Sequence, residues 1–373
     1  MLCCEAHSHF KEARSLCGLQ DYELIGLKIK IQNVLQSLRV IECSTRRLVK
    51  APEDCIYLAL SYVWGSPTDS EPEVRGNDFL PCQLPLTIED AITVTLQLGH
   101  EYLWVDRYCI PQTKSEEFEM QIRHMNLVYK NAYATIVAAA GEDPNYGLPG
   151  VSKRARNIRP STRIGQHYIA SIPDSVEPEI LQSKWNSRAW TYQEAIFSKR
   201  RIIFTDFEVY FDCERMRCRE SIRTDLDTPS QGYYCDQTTP EFLPFELGHD
   251  SSDYYERVQK YTQRSLTYDS DILNAFQGLL REYETRRGFK IYHVWGVPTI
   301  SCIKKTFGGG DHQSVVKTSL QGFMLGLCWF LKSPSERRVG FPSWSWVGWK
   351  GIIESQGHQF YGRLEDLNDP QYL

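Results

Sequence analysis

The sequence predicts an α/β protein built on a mainly parallel sheet flanked by helices. Three observations carry this. Apolar runs of strand length alternate with stretches of helical period. The runs are apolar throughout, as strands buried on both faces require. The three strongest runs stop at chain-breaking residues: YLALSYVWG (57–65) at Gly65, YLWVDRYCI (102–110) before Pro111, and ATIVAAAG (134–141) at Gly141. In such sheets ligands bind beyond the carboxyl ends of the strands. Here those ends carry Ser61 to Gly65, Asp106 to Gln112, and Gly141.

Taken in order, residues 1–50 form a lead-in with at least one strand near 37–43, and 51–213 form the sheet domain. Pro67, Pro72, Gly76 and Pro81 make 66–82 a loop. Thr87 suits the N-cap of a helix through 98, with Ile88, Ala91, Ile92, Thr95 and Leu98 on one face. Ser115 caps a second helix through 131, whose Glu116 and Glu117 suit its positive end. SRAWTYQEAIFS (187–198) reads as a helix and RIIFTDFEVYFDC (201–213) as a strand or hairpin. Residues 214–253, rich in Asp, Thr, Ser, Pro and Gly, form a connector. Residues 254–373 form an α+β carboxyl-terminal extension, with a helical stretch at 254–284 and the aromatic FPSWSWVGWKG at 341–351.

Composition removes several classes. The chain has 373 residues and a net charge of −5, so no basic footprint draws it to nucleic acid. No apolar run reaches the length of a membrane span, and MLCCEAHSHFKEARS lacks the apolar core of a signal peptide. A cytoplasmic location and reduced, mainly structural thiols for the twelve Cys follow as expectations. Cys3, Cys4, His7 and His9 lie close together but match no standard zinc spacing, so no metal is expected. No Gly-x-Ser-x-Gly, Walker A or Gly-x-Gly-x-x-Gly stretch occurs, and Gly308–Gly310 lacks the Lys-Ser/Thr that would follow a phosphate loop. The basic run 153–163 reads as a solvated loop.

YLALSYVWG, YLWVDRYCIPQ (102–112), the helix with Met125, Tyr129 and Ala132, ATIVAAAG, and SRAWTYQEA (187–195) occur in this order and together resemble the HET domain of fungal heterokaryon incompatibility proteins. The resemblance covers 57–213 and extends more thinly through LTYDSDILNAFQG (266–278) and FPSWSWVGWKG. It implies a role in non-self recognition and programmed cell death, with protein partners or self-association. HET domains are in turn distantly similar to TIR domains, which have a flavodoxin-like sheet; some of these hydrolyse NAD at its nicotinamide–ribose bond. The TIR catalytic glutamate lies in a Trp-Cys-x-x-Glu-like context, whose nearest match here runs from Trp190 to Glu194.

This second resemblance makes Glu194 the implied catalytic residue and NAD a candidate substrate, with no bound cofactor. A carboxylate can stabilise the oxocarbenium-like state of glycosidic cleavage, and nicotinamide is already a cationic leaving group. Trp64 and Trp190 could stack on a ring, Ser61 and Arg188 could address phosphates or hydroxyls, and Asp106 could hold a ribose. Each has a plainer reading: the Trp as core anchors, Asp106 as a loop cap or in an ion pair with Arg188, Ser61 as a strand-end hydroxyl, Glu194 as a solvated helix residue. Glu194 follows Trp190 by four positions, so a core-facing Trp190 would turn the carboxylate inward. Glu117 is a competing carboxylate, and Cys109 with His124 a competing nucleophile and base, though Cys109 sits in an apolar run. Two mechanisms stand: NAD hydrolysis centred on Glu194, or a non-catalytic interaction module that recruits death effectors.

Overall fold

The computed structural model describes residues 38–65, 78–113, 115–171, 177–213, 216–221, 251–285, 290–300, 304–306, 312–314 and 318–355. The chain divides into two compact units. The first comprises Met1–Glu177 and Lys199–Pro240, the second Pro178–Ser198 and Glu241–Leu373. The metal-like cluster at Cys3–His9, the Gly308–Gly310 turn and most of the connector lie outside the described residues.

An eight-stranded sheet organises the first unit. Its strands are β1 (Arg39–Glu42), β2 (Arg47–Lys50), β3 (Tyr57–Ser61), β4 (Tyr102–Trp104), β5 (Ala134–Ala138), β8 (Arg200–Phe204), β9 (Val209–Cys213) and β10 (Met216–Arg219). A separate hairpin pairs β6 (Ser161–Ile164) with β7 (His167–Ala170). The spatial order is β10-β9-β8-β5-β3-β4-β1-β2. β4, β3, β5 and β8 run parallel, with Leu58 beside Leu103 and Ala134, and Val137 beside Ile203. Every residue of β3 and of β5 is buried, which accounts for their unbroken apolar text.

The expected parallel sheet forms the centre, and antiparallel edges make the whole mixed. Two antiparallel strands flank the parallel four on each side. Connection length decides this. The links at 43–46 and 205–208 are too short for a crossover and close hairpins, whereas the parallel strands are joined by long segments carrying helices.

The first crossover carries α1 (Leu86–Gln97). Its buried positions include Ile88, Ala91, Ile92 and Thr95, as the periodicity predicts, but Leu98 lies past its end and is exposed. Pro85, not Thr87, precedes the helix. Thr87 instead ties the helix start to the segment after β5. Its backbone N donates to Pro144 O (3.0 Å) and its hydroxyl accepts from Gly147 N (3.1 Å).

The second crossover departs most from expectation. YLWVDRYCI is not one strand. It splits into β4 and a one-turn helix, α2 (Asp106–Cys109). The predicted helix through 131 breaks at His124 into α3 (Glu116–Arg123) and α4 (Met125–Asn131). Ser115 caps α3 as read, accepting from Phe118 N at 3.1 Å. Trp104 meets Tyr129 edge-on at 5.4 Å, and the Tyr129 hydroxyl donates to Leu60 O, joining α4 to β3.

After β5 the chain turns at Gly141, whose φ is +78°; a Cβ there would lie 2.2 Å from the Tyr146 ring. The following strap is fastened to α1. Leu148 N donates to Asp90 Oδ2 at 2.7 Å and the Ser152 hydroxyl to Asp90 Oδ1. The basic run 153–163 is mostly exposed, as a solvated loop requires, but three of its arginines have partners. Arg154 stacks on Tyr146 at 4.0 Å, Arg156 pairs with Glu220 at 2.5 Å, and Arg159 pairs with Glu208 at 2.8 Å.

The second unit gathers α5 (Ala189–Phe197), α6 (Ser251–Thr262), α7 (Gln277–Thr285) and α8 (Ser319–Gly326) with the hairpin of β11 (Ile291–Val294) and β12 (Val297–Ile300). Its core is aromatic. Phe276 lies 4.8 Å from Tyr261, 5.7 Å from Trp346 and stacks with Tyr192 at 6.5 Å. Tyr254 and Trp346 both donate to Gly296 O. The aromatic text near 341–351 thus anchors the β11–β12 turn.

Candidate functional site

The six residues singled out from the sequence fall three to a unit. Ser61, Trp64 and Asp106 belong to the first; Arg188, Trp190 and Glu194 belong to the second.

In the first unit, Ser61 ends β3 opposite Val137 and is fully buried. Trp64 and Asp106 are brought together: the indole N–H donates to Asp106 Oδ2 at 2.9 Å. Asp106 Oδ1 accepts from Arg107 N at 2.7 Å, at the first residue of α2. The Arg107 guanidinium covers the Trp64 ring at 5.2 Å. Gln112 closes the turn, donating to the carbonyls of Ile110 (2.8 Å), Arg107 (3.1 Å) and Asp106 (3.3 Å). Arg107 and Gln112 were visible in the motif YLWVDRYCIPQ, but nothing in their spacing marks them as its clamp.

In the second unit, Arg188 is the N-cap residue of α5 and makes no side-chain cap there. Its backbone pairs in parallel with Ser265. Every α5 residue except Trp190 is buried, and Glu194 is only 4% exposed. The carboxylate is therefore inward, but not by the route the spacing suggests: Trp190 is the least enclosed position, and Glu194 is buried because the helix is enclosed nearly all round. Arg264 stands nearby. Its guanidinium lies over the Tyr192 ring at 4.8 Å and interacts electrostatically with Glu194. Burial pulls that guanidinium down to about 10, still charged at neutral pH. The same burial pushes the Tyr192 phenol up to about 12, keeping it neutral. Arg264 escapes sequence reasoning because it lies far along the chain from α5.

The competing chemistries lose ground. Glu117 is exposed and holds Gln121 at 3.2 Å. Burial pushes the Cys109 thiol up to about 12, so it is not a thiolate at neutral pH. Its sulfur accepts from Val105 N at 3.3 Å, and His124 Nδ1 lies 2.8 Å from Met120 O. Cys43, Cys55, Cys82, Cys109, Cys213, Cys218 and Cys328 are free thiols. Among the described residues no cluster of three or more His, Cys, Asp or Glu could hold a metal ion, and no helix is long and apolar enough to cross a membrane.

Residues 57–194 match the family model described as "Heterokaryon incompatibility protein (HET)". The match begins at β3, runs through the Trp64–Asp106 pair and ends at Glu194; this segment is a HET domain. Among curated proteins, the chain is similar to "Heterokaryon incompatibility protein 6, OR allele" of Neurospora crassa, with 29% identity over 135 residues. That alignment covers 33% of this chain and 19% of the relative, so the chain spans less than a fifth of the relative's length. No solved structure matches the chain significantly.

Proposed function

We propose that the chain acts in fungal heterokaryon incompatibility, and that its HET domain signals cell death by cleaving NAD, with Glu194 as the catalytic carboxylate. The observation that carries this reading is the placement of Glu194: an inward carboxylate on α5, the last residue of the matched segment, in the field of Arg264. In the reaction the bond between C1′ of the ribose and the nicotinamide nitrogen breaks, and its electron pair leaves with nicotinamide. Water adds to C1′ and loses a proton to Glu194 or to solvent. The carboxylate opposes the positive charge that develops on the sugar.

The strand order supports a TIR-like assignment. The four parallel strands stand second-first-third-fourth in chain order, as in flavodoxin-like sheets, which bind ligands at the switch point between the first and third. Here Ser61 to Gly65 and Gly141 follow those two strands. Within the second unit, Trp190, the one α5 position that is not buried, is the candidate stacking ring beside Glu194, and Arg188 the candidate phosphate contact.

A second reading, a non-catalytic module that self-associates or recruits death effectors in the cytoplasm, is favoured by a different observation. Ser61 is fully buried and Asp106 is already engaged with Trp64, so both already serve the fold. The deciding experiment expresses wild type and Glu194→Gln in a fungal host and scores cell death with cellular NAD. NAD loss and death in wild type alone support catalysis. Death by both proteins without NAD loss supports recruitment and refutes the enzymatic reading.

A further inference from the structure

We infer that Arg264 is the positioning residue for Glu194, so that the HET domain is completed by a side chain from outside its matched segment. The inference rests on the reading of Glu194 given above. Nη1 of Arg264 donates to Asn186 O (2.5 Å), Arg188 O (3.2 Å) and Thr191 Oγ1 (3.2 Å), and Nη2 to Asn186 Oδ1 (2.5 Å). These four contacts span the turn that enters α5 and its first helical turn. The adjacent backbone adds Ser265 N to Ser187 O (2.6 Å) and Ala189 N to Ser265 O (2.9 Å). The direction in which α5 starts, and hence where Glu194 stands, is set by residues 264 and 265.

The charge of Arg264 points the same way. All four of its hydrogen-bond acceptors are neutral. A cation at a helix N-terminus opposes the helix dipole, so the position is costly for a purely structural side chain. The acidic group with which Arg264 interacts is Glu194. One guanidinium therefore fixes the helix start and stands as the cation near the carboxylate. A planar fork can do both; a lysine can supply only the charge.

The test uses the full chain as wild type, Arg264→Gln and Arg264→Lys, measuring nicotinamide release from NAD, thermal unfolding, and amide hydrogen exchange over 186–194. Misplacement of a reacting group by about 1 Å costs about 100-fold. The expected result is a loss of that order in kcat for both variants, with KM near wild type, a lowered unfolding temperature, and exchange accelerated most over 186–194. Wild-type turnover in Arg264→Lys would overturn positioning and leave a charge effect alone. Wild-type exchange over 186–194 in both variants would overturn it outright. If Arg264→Gln unfolds broadly, Arg264→Lys decides. If wild type releases no nicotinamide, the catalytic reading of Glu194 falls, and the exchange measurement alone decides the role of Arg264.

Discussion

Glu208 offers the sharpest quantitative prediction for the sheet unit. It is 3% exposed just before β9, and its carboxylate gathers five donors. Oε1 accepts from Arg159 (2.8 Å), Tyr210 (2.8 Å) and Arg219 (2.9 Å); Oε2 accepts from the backbone N and hydroxyl of Ser221. Burial alone would raise its pKa, but the donors Ser221, Arg219 and Tyr210 outweigh that and hold it near 2, against an ordinary 4.5. That difference corresponds to about 3 kcal/mol, or about 2 kcal/mol once screening by nearby solvent is allowed for. Because the folded-state pKa is depressed, this stability is present above pH 4.5 and is lost as the pH falls through 2. Glu208→Gln removes the charge. Urea unfolding of both proteins should show the variant less stable by about 2 kcal/mol at pH 7, with the deficit narrowing to about 1 kcal/mol at pH 3. A deficit equal at both pH values would refute the reasoning, since an uncharged contact has no such dependence. The same network holds Arg159, so the variant also tests whether the basic run is a structural strap.

Three further outcomes follow from the first unit. Gly141→Ala puts a Cβ against the Tyr146 ring at a φ of +78°, and should cost about 3 kcal/mol in chemical denaturation. Trp64→Phe removes the indole donor to Asp106 and should cost about 1 kcal/mol, read by thermal unfolding. Cys109 should resist a thiol reagent at pH 8 in the folded chain and react on unfolding, while exposed Cys82 reacts at once.

The parallel core was legible because β3 and β5 are buried at every position, and burial on both faces leaves an apolar text. The antiparallel flanks were less so, since β2 is four residues long with a single buried position, Leu48. YLWVDRYCI misled because Tyr108, Cys109 and Ile110 are as buried in a helical turn as they would be in a strand. The candidate carboxylate was found, but its surroundings were not. α5 lies in sequence between strands of the first unit yet packs in the second, with Tyr192 against Tyr261 and Phe276. Local pattern carries no trace of partners that distant, so Arg264 could be met only in three dimensions.

The central claim is that Glu194 makes the HET domain an NAD-cleaving enzyme. It is tested most directly by incubating concentrated full-length protein with NAD beside Glu194→Gln and following nicotinamide by chromatography. The account predicts steady release by wild type and none above background by the variant, with both equally folded. Release by the variant at the wild-type rate would contradict it, as would silence from both in preparations whose wild type still triggers the incompatibility reaction.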